Sequence, residues 1–178
     1  MKERLPIPLD FEVDKLTNSI ENVVTGDSFR TRVEPFALKD SKTVTKKSGW
    51  GFNWKYELAQ REREVYKLVI ADDVHETATI QGLLSLEMKS DHIFMHLVEN
   101  APFNFGKAKI YSGVAANLVA YACNESFQRG FEGNVAFISK TQLIDHYIES
   151  LGAVHIGHHR MVIETEAALK LINRYFKT

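Results

Sequence analysis

The amino-acid sequence predicts a mixed α/β domain: one mostly antiparallel sheet holding a single parallel strand pair, with helices on both faces. Three observations predict it. Extended runs between residues 64 and 98 are joined by short polar turns. A helical stretch at 113–129 is apolar almost all round, as a helix buried on more than one side must be, and it lies between two such runs. The chain of 178 residues is 44% hydrophobic and 25% charged, which suits one domain (1–178) able to bury a core without staples.

The elements follow in order. Residues 16–24 (LTNSIENVV) place apolar side chains at 16, 20, 23 and 24, helical spacing ended by Thr25-Gly26-Asp27. Residues 31–38 suit a short strand, with Pro35 marking an edge or a bend. Residues 39–55 hold five lysines and one acid, then Trp50, Phe52 and Trp54 at alternate positions. That reads as a basic loop leading into a strand with three aromatics on one face. Strands at 64–71, 77–88 and 92–98 form a meander, with Gly82 a candidate bulge and Lys89-Ser90-Asp91 a turn. Residues 104–112 are a loop. Ser112 caps the 113–129 helix and Gly130 closes it. Residues 133–139 form a short apolar strand central to the sheet. The helix at 141–151 carries Leu143, Ile144, Tyr147, Ile148 and Leu151 on one face and stops before Gly152. One or two strands occupy 153–163, and a last helix 166–175. The 92–98 strand, the buried helix and the 133–139 strand make a right-handed crossover, so those two strands run parallel.

Composition excludes several classes. With 22 basic and 23 acidic residues the net charge is -1, so no global field draws in a polyanion. The one cysteine, Cys123, rules out an intrachain disulfide and a zinc site built of cysteines alone. Residues 1–15 lack the apolar core of a signal peptide and no run approaches a spanning helix, so a cytoplasmic protein with no membrane partner is expected. His155, His158 and His159 cluster without a nearby Cys or Asp; they read as polar strand positions, and no metal site is expected. The 39–55 segment supports an alternative: a non-catalytic module binding nucleic acid or a protein partner, with rings stacking on bases and lysines meeting phosphates. The plainer reading is an exposed loop followed by aromatics packed inward, and the near-neutral chain agrees with that. The free side of residues 31–38, or the C-terminal strands, offers a second copy a place to pair as a homodimer.

The chemistry concentrates at residues 110–117, Ile-Tyr-Ser-Gly-Val-Ala-Ala-Asn. Small residues there open a buried helix. The first N–H groups of a helix have no internal partner, and that end carries about +0.5 charge. The backbone of Tyr111, Ser112, Gly113, Val114, Ala115, Ala116 and Asn117 is therefore a candidate phosphate cradle that needs no lysine. Close helix–sheet packing is the structural explanation for the same small residues.

Residues 64–163 resemble the GNAT superfamily of acyl-CoA-dependent N-acyltransferases. The family's pyrophosphate motif, Gln/Arg-x-x-Gly-x-Gly/Ala, is met by Ile110-x-x-Gly113-x-Ala115 with Leu118 following. Its Tyr-Glu-x-Leu-Gly-Phe ending is met by Ile148-Glu149-Ser150-Leu151-Gly152-Ala153, and the element order matches throughout. The resemblance implies a sheet splayed between residues 92–98 and 133–139. Acetyl-CoA is the implied acyl donor, its pantetheine arm paired near Leu97, Val98 and Glu99 and its pyrophosphate on the 112–117 amides. The implied reaction is attack of a primary amine on the thioester. Ile110 and Ile148 depart from the motifs at a polar slot and at the leaving-group tyrosine slot. Tyr147, one residue earlier, is either that acid or a core side chain. An amine of pKa ~10 must lose a proton before attack; Glu99, at the end of the central strand, is the first candidate base, and His96 the second.

Overall fold

The computed structural model describes residues 6–17, 19–74 and 78–176. Residues 1–5, Asn18 of the expected 16–24 helix and Thr77 of the expected 77–88 strand lie outside them. A seven-stranded sheet runs in the order β3-β4-β5-β6-β8-β10-β9. Its strands are β3 (Thr31–Pro35), β4 (Arg63–Ile70), β5 (Gly82–Met88), β6 (Ile93–Asn100), β8 (Val135–Ile138), β9 (Val154–His155) and β10 (Arg160–Ile163). Every pairing is antiparallel except β6 with β8. The crossover between those two strands carries α2 (Val114–Gln128). A second sheet, β2-β1-β7, joins β1 (Ile20–Asn22), β2 (Ser28–Phe29) and β7 (Tyr111–Ser112).

Where a helix was expected, Ile20–Asn22 form a strand and residues 23–25 a turn. Asn22 turns the chain with its side-chain oxygen, which accepts from the Val24 and Thr25 amides, and Ile20 is fully buried against the core. Three polar residues, Thr17 to Ser19, offer little helix propensity to oppose that pairing. Residues 50–54 are not a strand either. Asn53 caps α1 (Trp54–Ala59), its side chain accepting from the Tyr56 amide. Trp50 and Trp54 are buried and Phe52 half-buried, so the rings needed to stack on bases face the core.

Gly82 is no bulge. It pairs in register, and a Cβ there would meet Val114 Cγ1 at 2.7 Å, because α2 presses on the sheet at that point. Ser112 does not cap α2: its N-cap is Gly113, left-handed at φ 87°, where a Cβ would also strike Thr17 and Ser19. The chain closes α2 with Gly130, also left-handed, as expected.

α2 lies on one face with α4 (Thr165–Tyr175), and α1 on the other. Gly82 meets α2 while Ser85, three residues along the same strand, bonds Glu57 of α1; alternation puts those positions on opposite faces. α3 (Ile144–Leu151) ends at Gly152 in the left-handed region, as expected, and packs Tyr147 on Phe137 of β8. Residues 156–159 turn between β9 and β10, with His158 and His159 at positive φ, so the three histidines do not share one strand. Among the described residues no helix is long and apolar enough to cross a membrane.

Candidate active site

β6 is where the sheet divides. It pairs along its length with β5, but with β8 only at Ile93↔Val135 and Phe94↔Ala136. Past Phe94 the two strands part. Register slips at the same point: Ser85 faces Leu97 and Leu86 faces Met95, so His96 is an extra residue without an opposite number. A bulge re-aims the side chain it carries. Here it turns the imidazole to the α1 face, where Nε2 lies 3.0 Å from Glu87 Oε1 on β5. A carboxylate only accepts, so Nε2 carries the proton and Nδ1 is the basic nitrogen. Burial holds the His96 pKa below its usual value, against the opposing effect of the hydrogen bond it donates to Glu87. The ring is therefore neutral near pH 7.

Beside it lies a cavity of about 200 Å³, lined by His96, Leu97, Phe52, Tyr56, Glu57 and Arg63. Glu57, 3% exposed, accepts from Arg63 Nη1 at 2.6 and 2.8 Å and from Ser85 Oγ at 2.8 Å. A larger open hollow, about 850 Å³, runs between α3 and α4 past Glu149, Glu164 and Arg174 and holds none of the candidate residues.

Glu99 sits at the other end of the cavity wall, and its carboxylate is engaged. It accepts from the Gly51 amide at 2.6 Å, the Phe52 amide at 3.3 Å and Trp54 Nε1 at 2.7 Å. The structure uses it to fasten the 50–54 segment over β6. Glu99→Gln turns an amide NH₂ toward those donors. We expect it to cost about 1–3 kcal/mol of stability in denaturant unfolding, the range for a charge-assisted bond lost.

The helix end that was expected to cradle phosphate is covered by the chain itself. The Gly113 amide donates to Asp14 Oδ1 at 3.1 Å, and Asp14 Oδ2 meets Lys109 Nζ at 2.8 Å. Val114, Ala115, Ala116 and Asn117 are all buried, and Asn117 turns its side chain to Thr31 Oγ1. Tyr111 and Ser112 pair with β1 as β7. Tyr147 is fully buried, and its hydroxyl donates to the Phe11 carbonyl at 2.7 Å; burial pushes its pKa upward, with Asp10 and Glu12 adding to the effect.

Among solved structures, the chain is similar to a spermidine/spermine N-acetyltransferase from Vibrio cholerae. The match has 16% identity, covers 79% of this chain and 98% of that one, and has a TM-score of 0.54. It is similar also to the ribosomal-protein-S18-alanine N-acetyltransferase from Escherichia coli, at 12% identity over 75% of this chain and 90% of that one, with a TM-score of 0.50. This chain has the GNAT fold. No family model matches the sequence, and no curated protein does.

The expected site residues fall into two groups. His96 and Leu97 line the smaller cavity, with Glu99 bonded to the 50–54 segment beside it, while Tyr147 and Gly113 both contact the 9–14 segment. Ile110 and Ile148, the two departures from the family motifs, are 44% and 41% exposed. Sequence reasoning passed over Glu57, Arg63 and Glu87, because which side chains face one another across α1 and the β4–β5–β6 ladder depends on register. It also passed over Asp14, although Leu9-Asp10-Phe11-Glu12-Val13-Asp14 alternates apolar and acidic residues with the period of a strand.

Proposed function

We propose that the protein transfers an acetyl group from acetyl-CoA to a primary amine, with His96 as general base and Glu87 as the group that orients it. One observation carries this reading. The neutral imidazole is aimed by a bulge into a small cavity, at the point where β6 leaves β8. An amine entering that cavity reaches an acceptor for its proton before it attacks. The acetyl-CoA thioester supplies an activated carbonyl and a thiolate leaving group. We assign its diphosphate to the amides from Gly113 to Ala116 with Lys109, and its pantetheine arm to the backbone of Leu97 and Val98. The Asp14 carboxylate on the Gly113 amide is a stand-in for such an anion, which supports that fit. The Tyr147 hydroxyl, which donates to the Phe11 carbonyl, is assigned to donating a hydrogen bond to the leaving thiolate in place of that carbonyl. A cytoplasmic setting suits the free, buried Cys123.

The test is direct. Incubated with acetyl-CoA and a panel of primary amines, the protein should release free CoA thiol and yield an acetylated amine visible by mass spectrometry. Absence of thiol release above background with every amine, from both the protein and Asp14→Ala, would overturn the reading.

A further inference from the structure

The segment 9–14 runs from the open edge of β8 to the first turn of α2. Beyond Ala136, the edge of β8 that faces β6 has lost its partner, and Leu9 takes it. The Leu9 amide donates to Ile138 O at 2.7 Å, and its carbonyl accepts from the Lys140 amide at 3.0 Å, in parallel register with Ser139. Two residues on, the Phe11 carbonyl holds the Tyr147 hydroxyl, and the Phe11 ring packs 4.8 Å from that of Tyr147. The Val13 amide donates to His146 Nε2 at 2.9 Å. Asp14 then sets its carboxylate on the first turn of α2, with Lys109 alongside. Leu9, Phe11 and Val13 are buried while Asp10 and Glu12 are exposed, with Asp10 held to Lys140 at 2.8 Å.

In sequence the contacts read as a copy of the donor: an anion on the helix end, an extended chain across the opening, and a carbonyl on Tyr147. We propose that this segment is an autoinhibitory strap that competes with acyl-CoA for the groove between β6 and β8. The inference rests on the acetyl-transfer reading above. No strand of either sheet is built on the strap: it is held by one bridge to β8, by hydrogen bonds to α2 and α3, and by the buried side chains of Leu9, Phe11 and Val13. Donor affinity is then set by the fraction of molecules in which the strap has lifted. Whatever draws the acidic segment away, donor concentration included, raises activity without touching His96.

The experiment uses the full chain. Leu9 and Ser139 are paired neighbours, so a Leu9→Cys/Ser139→Cys variant can close a disulfide across the bridge. Cys123, fully buried, stays out of the exchange. Acetyl-CoA is titrated calorimetrically into the oxidised and reduced forms, and into Asp14→Ala, which leaves the apolar strap contacts alone. We expect the oxidised form to bind at least about tenfold more weakly than the reduced form. Asp14→Ala should bind about tenfold more tightly than the parent chain, the worth of one charge-assisted hydrogen bond. Equal affinity in oxidised and reduced forms, or an unchanged affinity in Asp14→Ala, overturns the strap and leaves acetyl transfer standing. Binding by none of the folded proteins overturns acetyl transfer, and the strap with it.

Discussion

With His96 as the general base of the proposed acetyl transfer, replacing it by glutamine should lower kcat by about 10²–10⁴-fold, the usual contribution of a positioned general base, while donor affinity stays as it was. Shape and polarity are kept, so the loss reports the missing base. The pH dependence distinguishes this role from a structural one. A base works only when unprotonated, so the proposed activity of the parent protein should fall as pH drops through the His96 pKa. Burial lowers that pKa, so the acid limb should lie below the ordinary histidine value of about 6.5. Glu87 pulls the other way, since its carboxylate favours the imidazolium. Glu87→Gln therefore moves the acid limb to still lower pH, and it reduces kcat because the ring loses the partner that selects its tautomer. A pH profile for Glu87→Gln that superimposes on the parent's would remove His96 from the role.

Arg63→Met is expected to destabilise the fold by about 3–5 kcal/mol. The Glu57 carboxylate is 3% exposed, and the Arg63 guanidinium is its only cationic partner among the described residues. Removing that partner leaves a charge in the core with one hydroxyl, Ser85 Oγ, to meet it. For a chain of this size the loss corresponds to a drop in Tm of roughly 6–20 °C. The double variant Glu57→Gln/Arg63→Met takes both charges out together, and most of the loss should return, because an unpaired buried charge costs more than a missing ion pair. Measured by thermal and urea unfolding, a single-variant loss below about 1 kcal/mol would mean that water reaches Glu57 and that the cavity wall is wetter than its burial implies.

Long elements with one strong period were legible from the residues alone. The β4–β5–β6 meander, α2 and α3 stand close to where the alternation and the small-residue helix start put them. So does the parallel pair on either side of α2, because a crossover of that length leaves one hand and one direction. Short segments were not legible. The spacing in 16–24 suited a helix, yet Ile20 buries itself better as part of a strand between β2 and β7, both distant or unformed in any local window. The alternation of Trp50, Phe52 and Trp54 suited a strand, yet the Asn53 cap and the Glu99 carboxylate fold the same rings inward. In both cases a partner from elsewhere in the chain outweighed a few tenths of a kcal/mol of local preference.

The site divides along the same line. Residue types at 110–117 and 147–153 determined that the chain has a helix end suited to an anion and a helix ending in a left-handed glycine, since both depend on neighbours in sequence. Only the tertiary structure decided that His96 is the residue the bulge turns toward the cavity, that its ring meets Glu87 and that the Glu99 carboxylate holds the 50–54 segment. It alone showed that segment 9–14 lies across the groove. The reason is register. A slip of one residue between β5 and β6 chooses which side chain faces the cavity, and the parting of β6 from β8 leaves an open edge that the chain's own acidic segment fills. Neither is written in the composition or spacing of any single stretch.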